Sequence, residues 1–149
     1  MCGAAAPKSA YDEFVENVWK CAVVKPATAD VCETYFVVTY DPGWDFGYSY
    51  KSYYSEFPER EGEDEDGESP QHFGTVEYNG KTYYDLTFSG SMGGWECEAM
   101  ANGNVKIEMM NDVTLEVKRD APGKFSIVSI NDATFLPVGA VLNQIRAAE

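Results

Sequence analysis

Apolar residues follow a helical spacing close to the N-terminus. Five of them stand at i, i+3, i+4, i+7 and i+8, with polar residues opposite: Tyr11, Phe14, Val15, Val18 and Trp19. Ser9 precedes the pattern and is the predicted N-cap, because its hydroxyl can accept a hydrogen bond from a backbone N–H group of the first turn. The spacing predicts an amphipathic helix that starts at Ser9 and packs its apolar stripe against a sheet.

A second helical spacing lies near the C-terminus, beyond Pro137. Its apolar positions are Val138, Val141, Leu142 and Ile145. Arg146 follows them, where a cation interacts favourably with the negative end of a helix dipole. The segment predicts a short C-terminal amphipathic helix.

The residues between these segments indicate β-strands. Residues 33–40 are rich in aromatic and β-branched residues and predict a strand covered on both faces. Residues 46–55 alternate until Tyr53-Tyr54, where the break in the pattern predicts a bulge. Residues 124–130 are the last clear strand.

A hairpin is predicted around Asn79-Gly80, because this dipeptide tolerates the positive φ angles of a type I′ turn. The flanking strands are expected over residues 73–78 and 81–88. The glycine-rich residues 89–94 then predict a loop that could form the rim of a binding site.

Three further strands place apolar residues at every second position. Their apolar rows are Trp95, Cys97, Ala99 and Ala101, then Val105, Ile107 and Met109, then Val113, Leu115 and Val117. The rows share one face only if three-residue loops join the strands, the first at residues 102–104 and the second at residues 110–112. This arrangement sets Ala99 opposite Ile107, and Lys106 opposite Glu116 as a cross-strand ion pair.

These elements amount to about eight strands, with connections short enough for antiparallel neighbours and no βαβ spacing. We therefore expect a mainly β (α+β) fold, a single antiparallel meander forming a small barrel or strongly bent sheet, closed by one N-terminal and one C-terminal amphipathic helix. A chain of 149 residues has room for one core. Residues 9–149 are the expected single β-rich domain, after a flexible tail over residues 1–8.

Charge changes this picture in one segment. The chain has 11 Lys and Arg against 25 Asp and Glu, a net charge of −14, which argues against binding nucleic acid through its phosphates. Residues 56–71 hold much of this charge and predict a disordered acidic loop, because they have little apolar surface to bury. The carboxylates lack the fixed offsets of a calcium loop, so we expect a solvated tract or an electrostatic contact for a basic protein. They belong to Glu61, Glu63, Asp64, Glu65, Asp66 and Glu68.

Reactive residues form no catalytic pattern. His72 is the sole histidine and has no serine motif or second histidine to accompany it. Cys97 lies between Glu96 and Glu98, which oppose thiolate formation, and its alternation directs it into the core. No glycine-rich phosphate loop opens a helix. We expect no cofactor and no enzyme activity; an enzyme would have to use Asp, Glu or Tyr as its acid or base.

The four cysteines are Cys2, Cys21, Cys32 and Cys97. Their spacing is not that of a zinc site, so no metal is expected. The sequence leaves two states of the thiols open: a Cys21–Cys32 disulfide, or all cysteines reduced.

The chain as given favours a cytoplasmic location, whereas a lipoprotein or periplasmic protein would fit if Cys2 followed a removed signal. The sequence contains no run of about 20 apolar residues, so no transmembrane segment is predicted.

Aromatic residues are the candidates for contact with a partner or ligand. The chain has ten Tyr and eight Phe, and tyrosine combines a large apolar area with a polar tip. Core packing alone would also select such residues, but burial of every ring is not expected. The candidate contact residues are Trp44, Tyr48, Tyr50, Tyr53, Tyr54 and Met92.

Residues 14–20 (Phe-Val-Glu-Asn-Val-Trp-Lys), followed by a meander, resemble the opening of lipocalin-like proteins, in which a Trp begins the first barrel strand. The family's glycine two residues before that Trp is Asn17 here, and the helical spacing places Trp19 on a helix face. The resemblance implies a barrel that carries a small apolar ligand.

Two functions follow from the sequence. The first is a non-catalytic acidic interaction protein, such as an inhibitor, an immunity-type protein or an assembly subunit. It would bind a protein partner, basic partners included, through aromatic and carboxylate surface. The alternative is a lipocalin-like barrel carrier of a small apolar ligand, lined by interior aromatic residues with Met92, Met100 and Met109.

Overall fold

The computed structural model describes residues 8–43, 45–56, 72–86 and 91–149, with one helix and ten strands among them. The helix α1 spans Ala10–Val15. The strands are β1 (Asn17–Lys25), β2 (Thr34–Asp41), β3 (Gly47–Tyr54), β4 (His72–Tyr78), β5 (Lys81–Leu86), β6 (Ser91–Ala99), β7 (Val105–Met109), β8 (Thr114–Ala121), β9 (Lys124–Ile130) and β10 (Val141–Ala147).

The strand pairing closes on itself. The order is β2-β1-β10-β9-β8-β7-β6-β3-β5-β4, and β2 also pairs with β3. Eight strands therefore form a closed antiparallel β-barrel, while the hairpin β4–β5 extends from β3 outside this ring. The predicted mainly β barrel is confirmed. Its strands follow one another in chain order except where the hairpin is inserted.

The chain divides into two compact units. The first comprises Met1–Cys21, Thr39–Ser49 and Met92–Glu149, and the second comprises Ala22–Val38 and Tyr50–Ser91. Five buried aromatic side chains occupy the centre of the first unit: Phe14, Trp19, Tyr40, Trp95 and Phe125. The Phe14 ring stacks on Trp19 at 5.3 Å and meets Trp95 and Phe125 edge-on at 5.7 and 5.2 Å.

The polar atoms of these rings are paired inside the core. Trp19 Nε1 donates to the Phe14 carbonyl at 2.9 Å, and Tyr40 Oη donates to Met109 Sδ at 3.3 Å. Burial raises the pKa of Tyr40 far above its usual value. The interior of this unit is therefore filled by side chains that contact one another.

The N-terminal helix is shorter than predicted. Ser9 is its N-cap and accepts from Asp12 N at 3.1 Å, as expected, but the helix ends at Val15. Val18 and Trp19 lie in β1, where the ladder with β10 shifts register between them and both side chains are buried. Two consecutive buried residues at this irregularity imitate the i+7 and i+8 positions of a helix. Phe14 of α1 is fully buried and belongs to the core.

The predicted C-terminal helix is wrong, because Val141–Ala147 form β10 with hydrogen-bonding neighbours on both sides. Leu142 is buried opposite both Cys21 and Phe125. Ile145 falls at the register shift with β1 and is 50% exposed, so it does not continue an apolar stripe. Two available strand edges therefore outweigh the helical spacing.

The predicted hairpin is confirmed, with φ angles of 52° at Asn79 and 77° at Gly80. The predicted loop over residues 89–94 is wrong in its second half, because β6 starts at Ser91. The predicted end of the second hairpin strand, residues 87–88, lies outside the described residues.

The register of β6, β7 and β8 follows the apolar rows. The rows of β6 and β7 share a face, but Ala99 lies opposite Val105 rather than Ile107, a shift of two residues that preserves the face. Lys106 lies opposite Glu116 as predicted. The predicted ion pair between them is wrong, because Glu116 instead accepts hydrogen bonds from Asn104 and Asn102. These hydrogen bonds lower the pKa of Glu116.

Candidate interaction site

The outer face of the β6–β7 ladder, in the first unit, carries exposed apolar and acidic side chains. On β6, Trp95 points inwards, so Gly94, Glu96 and Glu98 point outwards. Met110 follows β7 directly, and its N–H donates to the Gly94 carbonyl at 3.0 Å. The outer face thus has an apolar end near Gly94 and an acidic end beyond it.

Two exposed methionine side chains lie at that apolar end. Met92 is 75% exposed and stands two residues before Gly94 on the same face of β6, and Met110 is 77% exposed. A Cβ atom on Gly94 would lie 3.3 Å from Met110 Sδ, so the methionine lies over the glycine. The Phe46 ring instead packs edge-on against the inward-facing Trp95 ring at 5.0 Å, while Phe46 O accepts from Trp95 N at 2.9 Å. We call Met92 and Met110 the methionine patch.

A shallow groove adjoins Met92 on the same unit. Its volume is about 170 Å³, and its walls are Thr39, Asp41, Gly47, Tyr48, Ser49 and Met92. Small side chains leave it open to solvent. The Tyr48 ring lies beneath the strand, where the missing side chain of Gly93 gives it space: a Cβ atom on Gly93 would approach Tyr48 Oη to 2.7 Å.

Carboxylates form the acidic end of this face. Glu96 lies directly opposite Glu108, and Glu98 lies opposite Lys106. Lys106 Nζ contacts Glu108 at 2.9 Å and Glu98 at 3.5 Å, which raises the pKa of the lysine. Within the described part of the chain, Glu96 has no basic partner. Two carboxylates thus share one ammonium group, while Glu96 lies directly opposite Glu108, an arrangement of like charges that is destabilising.

The structure separates the contact residues expected from the sequence. Met92 and Tyr48 belong to the first unit, where Met92 is exposed and Tyr48 is buried. Tyr50, Tyr53 and Tyr54 belong to the second unit and are half-buried. Trp44 and the acidic residues of segment 57–71 lie outside the described residues, as does the side chain of His72.

Four tyrosines of the second unit pack against one another. Tyr35 stacks on Tyr78 at 4.4 Å and lies 5.8 Å from Tyr53 and 5.7 Å from Tyr83. Tyr83 Oη donates to Glu33 at 2.8 Å, and burial, followed by this contact, raises the pKa of Tyr83 to about 12. This arrangement indicates a structural role for the cluster.

A neighbouring lysine completes the polar contacts of this cluster. Lys81 Nζ donates to the same Glu33 carboxylate at 2.8 Å, and the hydrogen bonds from Lys81 and Tyr83 lower the pKa of Glu33. The carboxylate is therefore held in its charged form beside the buried tyrosine.

Sequence reasoning missed Met110, Glu96 and Glu108 as candidate site residues. Met110 was expected in a loop, and the two glutamates stood merely as polar positions of alternating strands. The signal that could have found them is the outward parity of both strands, combined with the correct register. That register sets glutamate opposite glutamate and methionine opposite glycine.

The described thiols are not arranged for chemistry. Cys21, Cys32 and Cys97 are free, so no Cys21–Cys32 disulfide is formed. Burial raises the pKa of Cys21 to about 12 and that of Cys97 to about 11, the latter despite a hydrogen bond with Tyr11. Both groups are therefore held as neutral thiols, the opposite of an activated nucleophile.

These pKa shifts predict an order of alkylation. At about pH 8 iodoacetamide should modify Cys97 before Cys21, because the thiolate is the reacting form and burial raises the pKa of Cys21 further. Raising the pH towards 11 should accelerate Cys97 first, since its pKa is the lower of the two raised values. Peptide mapping by mass spectrometry measures each rate, with urea-unfolded protein as control. Equal rates for Cys21 and Cys97 in the folded protein would contradict the burial of Cys21.

Within residues 8–43, 45–56, 72–86 and 91–149, no three His, Cys, Asp or Glu side chains come together as a metal site. The same residues include no helix with the length and apolar character needed to cross a bilayer.

Comparison of the chain with protein-family models, with curated proteins and with solved structures returns no match.

Proposed function

We propose that this chain is a non-catalytic binding protein that contacts another protein through the methionine patch and the carboxylates beside it. The observation that carries the proposal is the position of Met92 and Met110 next to the Glu96–Glu108 pair on one outer face. Grouped exposed apolar side chains with a polar rim are typical of protein interaction surfaces. Methionine suits such surfaces because its flexible thioether adapts to the partner.

The filled core of the first unit supports a surface site over an interior one. A carrier needs its apolar residues to line an open cavity, whereas Phe14, Trp19 and Phe125 contact one another. Of the methionines expected to line such a cavity, Met109 is buried and accepts a hydrogen bond from Tyr40, and Met92 faces solvent.

The net charge of −14 adds a basic partner to the same proposal. Surface charge of one sign accelerates association with a partner of the opposite sign. The acidic segment at residues 61–68 would then act as an electrostatic contact that steers a basic partner, while the methionine patch supplies the apolar contact.

The test begins with proteins captured from a source extract on the immobilised chain. Each captured protein is purified and titrated by calorimetry against wild type and the M92S/M110S variant. We expect the variant to bind about tenfold more weakly or worse, because truncating central apolar contacts commonly costs more than 1 kcal/mol.

The matched control is I145S, which removes another half-exposed apolar side chain of the same unit. It should bind as wild type does. If every purified partner binds wild type and M92S/M110S equally well, the proposed contact surface is wrong. A second control neutralises Glu61, Glu63, Asp64, Glu65, Asp66 and Glu68 to the corresponding amides and measures whether the association rate falls at low salt.

The carrier is retained as a second candidate because of one observation. Trp19 lies in the first strand of the closed ring rather than on a helix, which agrees with the lipocalin-like opening. Titration with a fluorescent fatty acid separates the two functions. Saturable binding at one site per chain would favour the carrier, whereas the filled core of the first unit leads us to expect no such binding.

A further inference from the structure

We propose that the partner segment recognised by this face is cationic and amphipathic, with an apolar side chain in the groove beside Met92 and a Lys or Arg between Glu96 and Glu108. The inference rests on the proposed function and adds the chemistry of the partner. Its support comes from the size of the groove, the charge of the ladder and the spacing between the two.

The groove has the size of a contact for one side chain. Its volume of about 170 Å³ is smaller than the roughly 300–1,000 Å³ typical of a small-molecule pocket. Gly47 and Ser49 keep the groove shallow, and Met92 forms one wall with a side chain that can adapt its shape. A leucine-sized or methionine-sized anchor of a partner fits this description better than a free ligand does.

The ladder beside it selects positive charge. Glu96 and Glu108 are directly opposite each other, and Lys106, the one lysine that contacts this ladder among the residues described, is already shared between Glu108 and Glu98. A cation from the partner would relieve the repulsion between the two opposed glutamates. An anionic partner segment would increase that repulsion, so charge complementarity gives the sign of the partner.

The two features lie at a spacing that one segment can bridge. Met92, the wall of the groove on β6, and Glu96 are four residues apart, which corresponds to about 13 Å along a strand. A helix rises about 1.5 Å per residue, so residues seven or eight positions apart on one helix face span about 11–12 Å. A helix with an apolar residue and a Lys or Arg at this separation therefore reaches both ends of the face.

The probe is a synthetic helical peptide of Leu and Lys with an apolar and a basic face, titrated into the full chain by calorimetry. Its counterpart with Glu in place of Lys tests the sign of the charge. We expect the Lys peptide to bind, and its affinity to fall about tenfold or more in E96Q/E108Q and in M92S/M110S. The Glu peptide should not bind, and I145S should leave the affinity of the Lys peptide unchanged. Circular dichroism confirms that each variant is folded.

The acidic segment supplies the decisive control, since a cationic peptide could bind any carboxylate tract. This control neutralises the acidic residues Glu61, Glu63, Asp64, Glu65, Asp66 and Glu68. In that background, E96Q/E108Q should still lower the affinity for the Lys peptide. If neutralising the segment abolishes peptide binding while E96Q/E108Q has no effect, the proposal is overturned. Equal binding of the Lys and Glu peptides would also overturn it.

Failure of this inference can be told from failure of the proposed function. If a purified natural partner loses affinity in M92S/M110S but not in E96Q/E108Q, the binding function stands and the cationic class of partner is wrong. If neither variant affects the peptide or any purified partner, both proposals are wrong.

Discussion

Replacement of Phe14 by alanine is expected to destabilise the protein by about 3–5 kcal/mol, the usual cost of truncating a buried phenylalanine. Phe14 is fully buried, stacks on Trp19 and meets Trp95 and Phe125 edge-on. The substitution would leave a cavity among rings that are held by separate strands and cannot easily close over it. Urea denaturation followed by tryptophan fluorescence gives the free energy of unfolding.

The matched control for Phe14→Ala is Val15→Ala, in the same helix. Val15 is half-buried and takes no part in the aromatic contacts, so its loss should be much smaller. Similar destabilisation by the two substitutions would mean that α1 contributes through helix packing in general. In that case the assignment of Phe14 to the central core would be wrong.

Replacement of Gly93 by alanine is the second substitution with a large expected effect, a loss of about 1–3 kcal/mol from overpacking. The new Cβ would lie 2.7–2.9 Å from three atoms of the Tyr48 side chain. Tyr48 is buried, so its ring must push into neighbouring side chains to restore normal distances. A thermal melt should show a lower midpoint than for wild type.

Gly94→Ala is the control for Gly93→Ala, because its Cβ would meet the exposed and flexible Met110 side chain, which can move away. It should be close to neutral. Adding Tyr48→Phe to Gly93→Ala removes the closest atom and should recover part of the lost stability. If Gly94→Ala is the more damaging change, the inward direction of position 93 is wrong.

Charge and fold are separate properties in this chain. The barrel core depends on aromatic and aliphatic contacts, whereas the net charge of −14 owes much to residues 56–71. Glu96 and Glu108 differ from other surface glutamates because the ladder sets them opposite each other.

The candidate site could be predicted from the sequence in part. Met92 was a candidate because of its glycine-rich surroundings, and it is exposed beside the groove. Tyr48 was grouped with Tyr50 on alternation, yet the space over Gly93 allows the Tyr48 ring to be buried. Such space is a property of packing between strands. No pattern within either strand records it.

The amino-acid sequence by itself determined the β character, the Asn79-Gly80 hairpin, the Ser9 cap and the shared apolar face of β6, β7 and β8. These features depend on alternation, on φ preferences and on capping, which act over a few residues. Tertiary structure decided where α1 ends, the strand character of Val141–Ala147 and the pairing of Glu96 with Glu108. Each of these depends on which edge of the barrel is free to pair, and distant strands provide that edge.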